Sequence, residues 1–148
     1  MSKFQLLVGS VMGTAEMTAE AVANDLRGKG HEVDINKQPQ AADLVRDADE
    51  ILLICTSNTG SGDLPDNIRP LYQQMVTEYP AIAGRRYGVI NLGDSCYDTY
   101  NDAGRLLDDT FEDLGAVRVG NPLVLDASSG QDPEEGALLW LNAWMQKL

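Results

Sequence analysis

The sequence predicts an α/β fold: a three-layer, doubly wound sandwich on a five-stranded parallel sheet of order 2-1-3-4-5, in a single domain spanning residues 1–148. Three observations lead there. Short apolar runs alternate with helical stretches five times, the runs are apolar enough for strands buried on both faces, and turn or capping residues stand where one pattern gives way to the next. Alternation of this kind calls for right-handed crossovers, with helices on both faces of the sheet.

In "LLVGSVMGTAEMTAEAV", Leu6, Leu7 and Val8 form the first strand, and Ala15, Ala19, Val22, Ala23 and Leu26 then recur at helical spacing. "HEVDI" is the second strand, "AADLVRDA" a short helical piece, and "EILLICT" a strongly apolar third strand. "PDNIRPLYQQMV" reads as helix despite Pro70, "RYGVINL" as strand four, "NDAGRLLDDTFEDLG" as helix, and "VGNPLVLDA" as an uninterrupted strand five. The final helix, "DPEEGALLWLNAWMQKL", starts with Asp132 as N-cap, Pro133 at the first helical position and Glu135 three residues after the cap. Gly28, Gly30 and Gly115 follow helix ends.

Composition narrows the function. A net charge of −12 repels phosphate backbones, which sets nucleic acid aside and favours a basic protein partner. Cys55 and Cys96 have neither a disulfide framework nor metal-ligand spacing, which suits a reducing compartment. With no signal peptide and no apolar run near twenty residues, the expectation is a soluble cytoplasmic monomer that does not engage membranes. His31 reads as a surface residue, and Trp140 and Trp144 as packing on the last helix.

In a sheet of order 2-1-3-4-5 the chain reverses between strands one and three, which leaves a ligand crevice at their carboxyl ends. Three loops should line it: Gly9 to Thr14, Thr56 to Asp63, and Gly93 to Asn101. The first is a tight turn into a helix, suited to an anion held by backbone N–H groups, the hydroxyls of Ser10 and Thr14, and the helix dipole. It has neither the Gly-Lys-Ser/Thr of a nucleoside triphosphate loop nor the three glycines of a dinucleotide fingerprint. A phosphorylated receiver domain would need acids after strand one and a terminal Asp on strand three, where Gly9-Ser10 and Thr56-Ser57 stand instead. The second loop is long and rich in hydroxyls and glycine, with Asp63 and Pro65 signalling the next helix, and the third carries two tyrosines suited to stacking on a flat ligand.

Taken together, "GSVMGTAE", "TSNTGSGDLPDN" and "GDSCYDTYNDAG" resemble, in order, the three FMN-binding loops of the flavodoxin family. The likeness covers the whole chain. The fifth strand resembles that of the short-chain flavodoxins, and "GDLPDN" is similar to the small bacterial MioC-like and YqcA-like flavodoxins. The resemblance implies FMN, its phosphate held by Ser10, Val11, Met12, Gly13, Thr14 and Ala15 with a hydroxyl from Ser57. Thr59 and Gly60 would lie against the dimethylisoalloxazine edge near N5, Asp94 near the pyrimidine side, Tyr97 would stack on the ring, and Tyr100 and Asn101 would close its rim, with Asn58 and Gly93 also among the FMN-binding residues. Met12 and Ala15 stand where many flavodoxins carry hydroxyl residues, which leaves more of the phosphate to the backbone.

The activity implied is that of an electron-transfer flavoprotein rather than an enzyme. It would be a one-electron carrier shuttling electrons at low potential between a flavodoxin reductase and acceptor enzymes, docking their basic surfaces through Asp63, Asp66, Asp98 and Asp102. The alternatives are an FMN-containing quinone reductase-type enzyme and an accessory FMN-binding module in cofactor biosynthesis.

Overall fold

The computed structural model describes residues 2–10, 13–58, 63–93 and 102–148. Within them the sheet is parallel throughout, in the order β2-β1-β3-β4-β5, with β6 also paired to β4. The strands are β1 (Lys3–Gly9), β2 (Glu32–Asn36), β3 (Glu50–Ser57), β4 (Arg86–Gly93), β5 (Val117–Arg118) and β6 (Leu123–Asp126). The helices are α1 (Thr14–Gly28), α2 (Ala41–Leu44), α3 (Arg69–Glu78), α4 (Asp102–Asp113) and α5 (Pro133–Met145). This is the expected doubly wound fold.

Strand residues alternate between two cores. Phe4, Leu6, Val8, Leu53, Cys55 and Ile90 face α1 and α5, while Leu7, Leu52, Ile54, Tyr87 and Val89 face α3 and α4. Both faces are covered, which is why the strands read as unbroken apolar runs. Gln5 is the polar exception in β1, and its amide is fully used: it donates to Asp43 O and Glu50 Oε1, both at 3.0 Å, and accepts from Asn36 Nδ2 at 3.0 Å.

The fifth strand corrects the sequence reading. The strand expected over 119–127 is confined to Leu123–Asp126, with a separate two-residue strand before it at Val117–Arg118; Val119 N still donates to Tyr87 O at 2.9 Å, and residues 120–122 leave the ladder. Arg86 pairs with Val117 and Ile90 with Leu123, so the outer strand fits two more residues than β4 into the same stretch. Gly120, at φ 69°, and Pro122, which has no N–H to donate, favour that departure. The two tryptophans accommodate it. Trp144 Nε1 donates to Val119 O at 2.9 Å and Trp140 Nε1 to Asn121 O at 3.1 Å, and their rings stack with centroids 5.3 Å apart. Carbonyls lost to the ladder thereby regain donors.

Two other boundaries move. α3 begins at Arg69 rather than Pro65, so Pro70 occupies the second helical position, where its missing N–H costs nothing. α1 closes through Gly30 rather than Gly28, with His31 N donating to Leu26 O and Gly30 N to Arg27 O, and Gly115 closes α4 in the same way. Asp132 caps α5 as expected, accepting from Glu134 N at 3.3 Å. His31 is half-buried rather than a plain surface residue: its Nδ1 accepts from Ser2 N at 3.0 Å and its ring meets Phe4 edge-on.

Tyr87 anchors α4 to the sheet. Its hydroxyl donates to Asp108 Oδ1 at 2.6 Å, and Arg118 meets the other carboxylate oxygen at 2.5 Å. Burial first, and the Asp108 carboxylate second, hold the phenol well above its ordinary range, so it stays a donor. On the opposite face, Gly88 lies beneath Trp144, where an added Cβ would stand 2.8 Å from the indole. Gly88→Ala should therefore destabilise the protein by about 1–3 kcal/mol, read from the urea midpoint at unchanged slope.

Candidate functional site

The register brings the three loops to one edge. β1 ends at Gly9 opposite Thr56, β3 ends at Ser57 opposite Leu92, and β4 ends at Gly93 opposite Asp126. Each end is stepped by one residue from the last, so the loops depart side by side at the carboxyl edge, where β1 and β3 lead in opposite directions across the sheet.

The first loop is held closely. Gly9 has room only for hydrogen, because a Cβ there would lie 2.4 Å from Thr56 Oγ1 and 2.7 Å from Ile68 Cγ2. Ser10 Oγ accepts from Gly13 N at 2.8 Å, and a hydroxyl that accepts in this way keeps its own O–H as a donor. Gly13, at φ 87°, turns the chain into α1, and no side chain caps that helix among the described residues. Its first-turn N–H groups and the positive end of its dipole are presented at the edge. Ala15 is fully buried, so its contribution reduces to its N–H, while Thr14 is exposed. Beneath it, Cys55 Sγ donates to Ala15 O at 3.5 Å; burial pushes that thiol up to about 12, which keeps it protonated and inert.

In the second and third loops the side chains stitch elements together. Ser57 Oγ donates to Gly9 O at 3.4 Å. Asn58 Nδ2 donates to Asn91 Oδ1 at 2.8 Å and Leu92 O at 3.0 Å, and its Oδ1 accepts from Ala103 N at 2.7 Å. The Asn58 side chain therefore joins β3, β4 and the first turn of α4, a structural role that the expectation of FMN binding did not suggest. Gly104 completes this corner, since a Cβ there would meet Asn91 Cγ at 2.5 Å.

Asn67 is the residue the sequence reading passed over. Its Oδ1 accepts from Ser10 N at 3.0 Å, and its Nδ2 donates to Val8 O at 2.7 Å and Lys37 O at 2.8 Å. Its signal lies in "GDLPDN", where Asp63 and Pro65 read as helix punctuation and Asp63 and Asp66 as docking acids, with no role for Asn67.

Beside these loops a groove of about 520 Å³ runs between α3 and α4, lined among others by Asp63, Leu64, Arg69, Tyr72, Asp102 and Arg105. Two of the expected rim acids have an arginine one turn on, Asp66 with Arg69 at 2.9 Å and Asp102 with Arg105 at 3.8 Å. Both pairs are solvent-exposed and contribute little to stability, so a partner can displace them. Val11, Met12, Thr59, Gly60, Asp94, Cys96, Tyr97, Asp98, Tyr100 and Asn101 lie outside the described residues. Among the described residues there is no His, Cys, Asp and Glu group that could hold a metal ion, and no helix long and apolar enough to cross a membrane.

A family model described as Flavodoxin matches residues 6–140, nearly the whole chain. The chain belongs to the flavodoxin family. It is 35% identical to Flavodoxin YqcA of Escherichia coli strain K12 over 97% of both chains, and 32% identical to Protein MioC of the same strain over 100% of this chain and 99% of that one. Among solved structures, a point mutant of flavodoxin from Pseudomonas aeruginosa superposes with a TM-score of 0.90 at 39% identity, covering 99% of this chain and 98% of that one. Oxidised Flavodoxin 1 from Bacillus cereus gives 0.80 at 25% identity, covering 99% of each. The sheet order found here is thus that of the flavodoxin fold, and the sequence match gives the same family.

The stitched corner at Asn58 predicts a stability effect. Asn58→Ala removes three hydrogen bonds and leaves the Ala103 N–H and Leu92 carbonyl to find other partners. A loss of about 1–3 kcal/mol is expected in chemical unfolding of the apo protein, where no flavin contact contributes.

Proposed function

We propose that this flavodoxin-family protein is an FMN-dependent one-electron carrier, passing electrons at low potential from a reductase to acceptor enzymes. The observation that carries the reading is the first loop: a left-handed Gly13 leading into a helix that no side chain caps among the described residues, with Ser10 Oγ accepting from Gly13 N beside it. A terminal phosphate suits that donor set, which needs no cationic side chain. Bound there, FMN supplies the redox chemistry.

The chain's own residues bind, orient and set the field. Ser10, Thr14 and the first-turn N–H groups, with Val11, Met12, Gly13 and Ala15 contributing backbone, hold the phosphate, and Ser57 lies alongside. Thr59, Gly60, Gly93, Asp94, Tyr97, Tyr100 and Asn101 surround the ring, while Asn58 orders the stems of the second and third loops. A net charge of −12 raises the cost of any further negative charge at the site, which favours a low potential for the second electron. The exposed acids at the rim, Asp63, Asp66, Asp98 and Asp102, give a basic redox partner its docking face, and the protein works as a cytoplasmic monomer.

Flavin released with acid from the purified or reconstituted protein should chromatograph as FMN, one per chain. Recovery of FAD, or failure of the apo protein to take up FMN, would overturn the reading. Electron transfer with a basic reductase should slow as ionic strength rises past about 0.1 M, where the Debye length is about 10 Å. Stopped-flow rates that do not change with salt would remove the acidic face from the account.

A further inference from the structure

Asn67 sits where the backbone of β1 runs out of neighbours. β2 ends at Asn36, opposite Leu7, while β1 continues to Gly9. The Gly9 carbonyl faces β3, where it accepts from Ser57 Oγ. Alternation along a strand turns the Val8 carbonyl and the Ser10 N–H to the other side, past the end of β2. There the Asn67 carboxamide donates to Val8 O and accepts from Ser10 N. Those are the two bonds that a residue of a neighbouring parallel strand makes to its partner, so one side chain continues the ladder. Its second amide proton holds Lys37 O, the residue that follows β2.

We infer that Asn67 is the positioning residue of the phosphate loop, an inference that rests on the FMN reading above. The linkage is short. Asn67 fixes the Ser10 backbone, Ser10 Oγ fixes Gly13 N, and Gly13 aims the first turn of α1. A second contact acts on the same point: Ile68, the next residue, packs against Gly9 so closely that only glycine fits. One dipeptide from the start of α3 thus pins the loop by hydrogen bonds and by contact. Two acceptors and one donor surround the carboxamide, and only an amide of this length satisfies all three. An aspartate would turn a lone-pair oxygen toward two carbonyls, and an alanine would leave all three groups without this partner.

The test compares two ligands that share a ring and differ by the phosphate. Dissociation constants for FMN and for riboflavin are measured by flavin fluorescence quenching with apo wild type, Asn67→Ala and Asn67→Asp, with the thermal unfolding of each apo protein recorded alongside. A positioning role predicts FMN affinity weakened about tenfold or more with riboflavin affinity within about twofold, so the preference for FMN collapses. A merely structural role lowers the unfolding temperature and weakens both flavins by the same factor, and that result, or an unchanged FMN affinity, overturns the inference. Should the alanine variant not fold, Asn67→Asp carries the same comparison, because it keeps an acceptor for the Ser10 N–H. A wild type that binds riboflavin as tightly as FMN, or neither, overturns the FMN reading and this inference with it. A wild type that prefers FMN, with variants that keep the preference, overturns the inference alone.

Discussion

Backbone polar groups at the carboxyl edge of the sheet have to be satisfied after the strands end, and this has to happen without using the donors of the first turn of α1. That constraint organises the molecule. Two asparagines meet it on the two flanks of the crevice. Asn67 completes β1 where β2 has stopped, and Asn58 ties the end of β4 to the start of α4. Side-chain amides serve here because each carries a donor and an acceptor, as a peptide group does. The edge is thereby ordered, while among the described residues no side chain caps the N-terminus of α1.

Close packing transmits that order through the layers. Gly9 against Ile68, Gly104 against Asn91 and Gly88 against Trp144 are three places where a helix or turn approaches the sheet more nearly than any side chain allows. They lie on both faces, so the loops stand on a sheet clamped from either side. The electrostatics divide by range. Backbone N–H groups act at contact, whereas the −12 charge is spread over the surface and screened beyond about 10 Å at 0.1 M salt. An acidic protein can therefore hold an anion in its crevice and still present a repulsive field to other anions and an attractive one to a basic partner.

The fold was legible because both signals behind it are periodic. Strands buried on two faces are apolar throughout, and α1 shows its buried face in Ala15, Ala19, Val22, Ala23 and Leu26. The strand order followed from the alternation. The break in the fifth strand was not legible, since Val119 and Leu123 look alike to a pattern, and the break depends on Gly120, Pro122 and two distant indoles. The start of α3 was misplaced for a related reason: Pro65 and Pro70 are both acceptable helix beginnings, and the Pro65 to Ile68 turn decided between them. At the site, glycines and hydroxyls advertised themselves by type. Asn67 did not, because its partners Val8, Ser10 and Lys37 are far away in the chain and become neighbours only once the sheet has formed.

A carrier differs from a hydride-handling enzyme in how its cofactor's two electrons are spaced, and a potentiometric titration of the FMN-loaded protein, followed by visible absorption, reads that spacing directly. A net charge of −12 makes the second electron harder to add than the first. The account predicts two resolved one-electron waves, the second at a potential below that of free FMN. A single two-electron wave at or above the potential of free FMN would contradict it.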